Sequence, residues 1–205
     1  MESYITIHHY AAFEYEDRKS VFIGEAMPVS TEEDALRFID TVKKKYPDAR
    51  HHVYAYVLRD NSIMRFTDDG EPQGTAGMPV LDIIRKNGLT DTAIVVTRYF
   101  GGTLLGTGGL VRAYSAAALG AIENAEIITY DVYVTFSIET TYSDYQKFAP
   151  IFQEMGYRST DVRYTDKVLL TGSIRKSMAD QFVYKLVQIT SGRVKVQIID
   201  EKFVF

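Results

Sequence analysis

Cysteine is absent from this 205-residue chain, and its absence excludes disulfide bonds and thiolate ligands for a metal. Long apolar runs are also missing, since none approaches the roughly 20 residues that a membrane-spanning helix requires. The first ten residues lack a basic segment followed by an apolar segment, so we expect no signal peptide. Together these absences predict a cytoplasmic protein that does not contact a membrane.

An excess of positive charge is lacking as well. The formal net charge is −4, which argues against a globally basic nucleic-acid binder but leaves room for a local basic patch. The composition is ordinary for a globular protein, with 46% hydrophobic and 24% charged residues. The length allows one large domain or two small ones.

The pattern of elements changes near residue 128, and we expect two domains, residues 1–128 and 129–205. In the first domain, apolar patterns predict five strands, over residues 4–10, 21–29, 53–58, 64–67 and 92–100. Three helices are expected to start at Thr31, Thr75 and Gly109, the first two with the threonine as N-cap. Asn61 and Ser62 predict a turn between two of the strands.

The second domain has a different pattern. Alternating apolar residues predict four strands, and apolar stripes at helical spacing predict one helix over residues 142–155 and another capped by Ser177. The resulting order, βαββαβ, is that of a ferredoxin-like fold. The fold class that we expect for the whole chain is therefore α+β.

A glycine-rich turn joins the apolar strand 92–100 to the helix that follows. Arginines flank this turn at positions 98 and 112, and its glycines are Gly101, Gly102, Gly106, Gly108 and Gly109. Free N–H groups and the dipole at a helix N-terminus favour an anion, and Arg98 and Arg112 could add charge-assisted hydrogen bonds. The turn therefore indicates a phosphate site, although neither the P-loop nor the dinucleotide pattern is present. The alternative is that the glycines only permit positive φ angles and close packing.

An acidic turn precedes this region, with Asp68, Asp69 and Glu71 close together in the sequence. Three carboxylates could hold Mg²⁺ or supply a general base. Alternatively, the Asp-Gly sequence forms a simple turn with solvated charges, or the carboxylates pair with Arg98 or Arg112. We favour these last two explanations, and we expect no metal, no cofactor and no catalytic residue.

Histidines and aromatic residues give weaker signals. His8 and His9 are adjacent, as are His51 and His52, and neighbouring residues of a strand point to opposite faces, so neither pair is expected to chelate a metal. One of His51 and His52 is a candidate to face the acidic turn. The aromatic residues beside the glycine-rich turn could stack on nucleic-acid bases, although core packing is the commoner use of such residues.

Four motifs along the chain match a known family. They are Arg18-Lys19-Ser20-x-Phe22-Ile23, His51 with Ala55-Tyr56, Asp68-Asp69-Gly70-Glu71-Pro72-x-Gly74-Thr75-Ala76-Gly77, and Val96-Thr97-Arg98-Tyr99-Phe100-Gly101-Gly102 through Leu105-Gly106-x-Gly108-Gly109-Leu110-Val111-Arg112-Ala113-Tyr114. The last two are long and highly specific. On these residues the chain resembles the IMPACT family, in its bacterial YigZ-like branch, and the resemblance covers the whole chain.

The resemblance implies a fold and, less sharply, a function. The first domain should be similar to domain 2 of ribosomal protein S5 and the second should be ferredoxin-like, a pair that also occurs in translocating elongation factors. Eukaryotic members of the family are associated with control of translation. For bacterial members, nucleic-acid binding is the function that the resemblance suggests.

Our main hypothesis is a non-enzymatic cytoplasmic protein that binds RNA or the ribosome and regulates translation. Phosphate would be bound by the glycine-rich turn with Arg98 and Arg112, and further contacts would come from Arg18, Lys19, Arg65 and His51. One alternative is a Mg²⁺-dependent enzyme that binds a nucleotide or phosphate ester at the acidic turn. Another is a protein-interaction module. The sequence leaves the oligomeric state and the identity of any partner open.

Overall fold

Two separate units make up the computed structural model, which describes residues 2–59 and 63–205. The first unit comprises Tyr4–Thr129, and the second comprises Tyr130–Phe205 together with the first residues of the chain. Both units combine helices with an antiparallel sheet, so the protein is of the α+β class. Among the described residues, no helix is both long enough and apolar enough to cross a membrane.

The sheet of the first unit has five antiparallel strands and is flanked by three helices. Along the chain the elements are β1 (Tyr4–Ile7), β2 (Ala11–Asp17), β3 (Ser20–Pro28), α1 (Glu32–Lys45), β4 (His51–Val57), β5 (Met64–Thr67), α2 (Gly77–Lys86), β6 (Thr92–Tyr99) and α3 (Gly106–Asn124). The sheet order is β2-β3-β6-β4-β5. The turn predicted at Asn61 and Ser62, between β4 and β5, lies outside the described residues.

Strand β6 is the centre of this sheet because both of its faces are buried. Ile94 and Val96 pack with α2 and α3 on one face, whereas Ala93 and Val95 pack with α1 on the other. A strand that is covered on both faces is apolar at most of its positions, so the central strand predicted from the apolar run is confirmed. The strand carries the chain directly to the glycine-rich turn.

The sequence prediction for the first strands is wrong, because it misses the edge strand β2. The apolar pattern predicts one strand over residues 4–10, whereas β1 ends at Ile7, a bend contains His8 and His9, and β2 follows. The pattern misses β2 because most residues of this edge strand are exposed, and exposed strands lack strong apolar alternation. A tight turn joins β2 to β3 at Arg18 and Lys19, which have positive φ values of 46° and 64°, as in a type I′ hairpin.

The second unit contains four strands and three helices around an aromatic core. Along the chain these are β7 (Ile127–Thr140), α4 (Tyr142–Tyr145), α5 (Ala149–Met155), β8 (Arg158–Tyr164), β9 (Val168–Arg175), α6 (Ala179–Ile189) and β10 (Lys195–Val204). The strands pair antiparallel in the order β10-β7-β9-β8. Phe136, Phe148 and Phe182 are buried between the sheet and the helices.

In the second unit, the helices differ from the predicted ones in their number and in where they begin. The single helix predicted over residues 142–155 is wrong, because α4 and α5 are separate helices. A continuous helix would need an N–H group at Pro150, which proline lacks, and Pro150 instead lies in the first turn of α5. Ser177 is not the cap of α6, which begins after a 3₁₀ turn and has no side-chain cap among the described residues. In the first unit, Thr31 caps α1 as predicted.

Candidate functional site

Asp68, the first residue of the acidic turn, caps helix α2. Its Oδ1 accepts the N–H groups of Ala76 at 3.1 Å and Gly77 at 2.8 Å, and its Oδ2 accepts that of Gly74 at 2.8 Å. Thr75, the predicted cap, instead donates its hydroxyl to a carbonyl within its own turn at 2.6 Å. The Asp68 carboxylate therefore satisfies backbone donors that the start of a helix leaves unpaired.

Asp69 and His51 fix the acidic turn to strand β4. Asp69 has a positive φ of 44°, and its Oδ2 accepts the backbone N–H of His52 at 2.6 Å. His51 Nδ1 lies 2.8 Å from the carbonyl oxygen of Asp69. A carbonyl only accepts hydrogen bonds, so Nδ1 carries the proton and donates. His51 is thus the histidine that faces the acidic turn, and Asp69 pairs with backbone rather than with an arginine.

Glu71 and Arg98 form a buried ion pair. Arg98 Nη1 donates to Glu71 Oε1 at 2.6 Å, and the hydroxyl of Tyr114 on α3 donates to the same oxygen at 2.7 Å. The side chains of Arg98 and Glu71 are only 7% and 4% exposed. Burial, and then the hydrogen bond to Glu71, raise the pKa of Tyr114 far above its ordinary value. Of the two arginines considered as partners for the acidic turn, Arg98 is the one in this pair.

The three carboxylates of the acidic turn therefore make three different structural contacts. Within residues 2–59 and 63–205, the one group of three potential ligand atoms that all lie within 4.8 Å of one another belongs to His8, His9 and Glu126. The acidic turn offers Mg²⁺ no comparable cluster of oxygen ligands. The expectation that His8 and His9 point apart is wrong, because they lie in the bend after β1 and not in a strand.

A cleft lies at the end of β6, where Arg98 approaches the surface. Its volume is about 680 Å³, and it is lined by Asp48, Arg50, His51, Arg98, Tyr99, Phe100 and Leu104. The Phe100 ring is 56% exposed, and its centroid is 5.6 Å from the guanidinium carbon of Arg98. The cleft thus combines an exposed aromatic ring with basic side chains.

Leu104 was not among the predicted site residues, and two further residues of the cleft, Asp48 and Arg50, were not among them either. Both are exposed and lie in the connection between α1 and β4. Neither belongs to a motif, so the sequence gives only one signal for Arg50, its position directly before His51. In the described part of the chain, Arg50 forms no ion pair.

Close packing explains why one position of the glycine-rich turn, Gly101, is a glycine. A Cβ atom at Gly101 would lie 2.0 Å from the carbonyl carbon of Lys19, and the N–H of Gly101 donates to Ser20 Oγ at 3.0 Å. The turn is therefore closely packed against the hairpin between β2 and β3. Gly102 and Gly106 have positive φ values of 85° and 72°, which glycine adopts without strain.

The remaining glycines, Gly108 and Gly109, lie in the first turn of α3. This helix begins at Gly106, three residues before the predicted start, and among the described residues no side chain caps it. Its first turn contains no acidic residue, and its free N–H groups can donate hydrogen bonds to an anion. The exposed Arg112 lies over the same turn, with Nη1 3.7 Å from the position of a Cβ on Gly108.

Arg18 and Lys19 lie beside the glycine-rich turn, whereas Arg65 does not. Arg18 Nη1 donates to a carbonyl of the turn at 3.5 Å. Arg65 is on β5, at the opposite edge of the sheet from β2, and its Nε lies 3.8 Å from Glu32. Neither Lys19 nor Arg112 forms an ion pair with any described residue. We call Arg18, Lys19 and Arg112 the basic rim of the turn.

Two family models match the chain. Residues 18–122 match the Impact N-terminal domain, and residues 138–193 match a domain of unknown function, DUF1949. The first match contains the acidic turn, the cleft and the glycine-rich turn. The chain therefore belongs to the IMPACT family, as its motifs indicated.

Bacterial relatives match nearly the whole chain. The IMPACT family member YvyE of Bacillus subtilis is 32% identical over 96% of this chain and 91% of its own length. The IMPACT family member YigZ of Escherichia coli is 31% identical over 91% of this chain and 93% of its own length. A crystal structure of a hypothetical protein has a TM-score of 0.61 and 30% identity, over 98% of both chains. These matches confirm the predicted bacterial branch of the family.

Proposed function

We propose that this protein is a non-enzymatic RNA-binding protein that acts on single-stranded RNA, free or on the ribosome. The cleft at the end of β6 is the observation that supports this most, because it combines the exposed ring of Phe100 with Arg50 and His51. Proteins hold single-stranded nucleic acids by stacking bases on aromatic rings beside positive charges. A base stacked on Phe100 would have Arg50 and His51 beside it.

The glycine-rich turn supplies the phosphate contacts in this proposal. The uncapped N-terminus of α3 presents backbone N–H groups, and the basic rim adds three positive charges. Helix N-termini and arginines both favour phosphate oxygens. The net charge of −4 does not oppose such a site, since a local field depends on the nearby charges.

Arg98 has a different role in this proposal from the phosphate contact that the sequence suggests. Glu71 already neutralises its buried guanidinium, so a phosphate would gain little there. Its guanidinium carbon lies 5.6 Å from the Phe100 ring, within the range of a cation–π interaction. We therefore assign Arg98 the task of positioning Phe100 at the cleft.

The alternatives have less support. A Mg²⁺-dependent enzyme would need free carboxylates, whereas those of Asp68, Asp69 and Glu71 accept hydrogen bonds from α2, from His52 and from Arg98. No specific observation favours a protein-interaction module. A cytoplasmic location and a role in regulating translation go with the RNA-binding proposal, in line with what the family resemblance implies.

The fold proposal is that the first unit resembles domain 2 of ribosomal protein S5 and that the second is ferredoxin-like. The element order βαββαβ and the strand order β10-β7-β9-β8 support the second assignment. We propose the domain boundary between residues 128 and 129, one residue before the division between the two compact units. A fragment that starts at Ile128 should unfold in one cooperative transition, and a non-cooperative transition would contradict the boundary.

Fluorescence anisotropy with a labelled poly-uridine oligonucleotide tests the RNA-binding proposal. Loss of a stacking ring costs about 1–3 kcal/mol, so Phe100→Ala should weaken binding roughly 5- to 150-fold. Arg50→Ala should weaken it as well. Lys86→Ala removes an exposed cation from α2 and should leave the affinity unchanged. Equal affinities for all three variants would show that RNA does not use the cleft.

A further inference from the structure

We propose that His8, His9 and Glu126 bind a divalent transition metal, specifically Zn²⁺, on the first unit. Their ligand atoms all lie within 4.8 Å of one another. Two imidazole nitrogens and one carboxylate form a donor set of known zinc sites, in which water completes the coordination. The proposed site is independent of the RNA-binding cleft, because the 19 residues of α3 separate it from the glycine-rich turn, a distance of about 27 Å.

Backbone hydrogen bonds bring these distant residues together. The N–H of His8 donates to the carbonyls of Ala125 at 3.0 Å and Glu126 at 2.8 Å, and the N–H of His9 donates to Ala125 at 3.3 Å. Glu126 has a positive φ of 58°, which is uncommon for a residue other than glycine. The bend after β1 is thus tied to the end of α3, and the ligand positions do not depend on side-chain contacts alone.

One of the three distances between ligand atoms is close to that expected around a shared ion. His8 Nδ1 and Glu126 Oε2 are 3.5 Å apart, and two ligands of a tetrahedral Zn²⁺ lie about 3.3 Å from each other when each bond is about 2.0 Å. The His8 and His9 ring centroids are 5.6 Å apart with planes inclined by 73°, so the rings do not stack and their nitrogens can turn to one point. The carbonyl end of α3 adds a partial negative charge that favours a cation.

The simpler alternative is a hydrogen-bonded pair of His8 and Glu126 without any metal. That hydrogen-bonded pair would form without His9, whereas the proposed metal site uses His9 as a ligand. Replacing His9 therefore distinguishes the two explanations. Isothermal titration of the untagged full chain with zinc chloride should show one Zn²⁺ bound per chain. His9→Ala and Glu126→Ala should each weaken this binding at least about tenfold, since even residues that only orient a ligand contribute 10- to 100-fold.

Glu123→Ala is the matched control, because Glu123 is an exposed carboxylate in the last turn of the same helix. It should leave the Zn²⁺ affinity unchanged. Co²⁺ used in place of Zn²⁺ should give visible d–d absorption in the parent chain and lose it in His9→Ala, a signal that folding alone does not produce. If His9→Ala and Glu126→Ala bind Zn²⁺ as tightly as the parent chain, or if Glu123→Ala weakens binding equally, the proposal is wrong.

Discussion

At the scale of single residues, Arg98 connects the acidic turn to the glycine-rich turn. In the sheet it is flanked by Phe22 on β3 and by His51 on β4. Its guanidinium is bound by Glu71 of the acidic turn, while the next residues of its own strand lead into the glycine-rich turn. One ion pair therefore ties the acidic turn to the end of β6, where the cleft lies.

Replacing Glu71 by Gln should leave the guanidinium of Arg98 buried without a counter-charge. Removal of one partner from a buried ion pair costs about 3–5 kcal/mol, and we expect a loss of this size in the free energy of unfolding measured in urea. Glu33→Gln is the matched control, because Glu33 pairs with Arg37 on the exposed face of α1, where such pairs contribute only about 0.3–0.5 kcal/mol. Equal losses in the two variants would contradict a buried charge pair.

Tyr157 in the second unit leads to a prediction about pH. Its hydroxyl is buried and has no hydrogen-bond partner among the described residues, and burial raises its pKa from 10.0 to about 12. Folding therefore favours the neutral hydroxyl. The stability linked to this group is present below the unfolded pKa of about 10 and is lost as the pH rises through the folded pKa of about 12.

Tyr157→Phe removes both the unpaired hydroxyl and its ionisation. We expect the free energy of unfolding at pH 7 to rise by about 1 kcal/mol, the typical cost of an unsatisfied buried polar group. The variant should also lose less stability than the parent chain between about pH 10 and pH 12. Urea unfolding at several pH values measures both effects, with the exposed Tyr184→Phe as control. A less stable Phe variant would mean that the hydroxyl has a partner.

The sequence suggested that the acidic turn pairs with Arg98 or Arg112, but it did not specify which carboxylate pairs with which arginine. Glu71 and Arg98 stand out because they lie in motifs beside glycines. The choice between Arg98 and Arg112 depends on where β6 places its side chains relative to the acidic turn, and no residue pattern specifies this. Arg50 could not be recognised as a site residue, since it reaches the cleft from a connection that belongs to no motif.

At the scale of elements, the parts with strong apolar patterns were predictable. The buried strand β6 and the alanine-rich stripe of α3 follow from periodicity alone. The edge strand β2 and the cap of α2 could not be predicted from apolar periodicity. Asp68 caps that helix from nine residues before Gly77, whereas sequence patterns for helix starts concern residues close to the N-cap.

Two glycine substitutions test the packing of the glycine-rich turn. In Gly101→Ala the new methyl group would lie 2.0 Å from the backbone of Lys19, so the hairpin must shift and we expect a loss of about 1–3 kcal/mol. At Gly108 the nearest atom is 3.7 Å away, and alanine is favoured over glycine in a helix by about 0.5–1 kcal/mol. Thermal unfolding should therefore show a lower midpoint for Gly101→Ala only. A matching decrease for Gly108→Ala would contradict this packing.

At the scale of the whole molecule, the sequence predicted the family and the α+β class because both depend on long motifs and on element order. The cleft could not be predicted, since its walls come from three separate places, residues 48–51, residues 98–100 and Leu104. The sheet register places His51 beside Arg98, and Gly101 packs closely against the hairpin between β2 and β3. The proposed site therefore depends on contacts between separate segments of the chain rather than on any single motif.

The salt dependence of RNA binding tests the proposed phosphate site most directly. For single-stranded nucleic acid, the slope of log affinity against log salt concentration is about −0.7 for each phosphate contact. Arg112→Ala should make the slope shallower by about 0.7, whereas Lys86→Ala should leave it unchanged. An unchanged slope in Arg112→Ala, or no RNA binding by the parent chain at low salt, would contradict the proposal that the glycine-rich turn binds RNA phosphate.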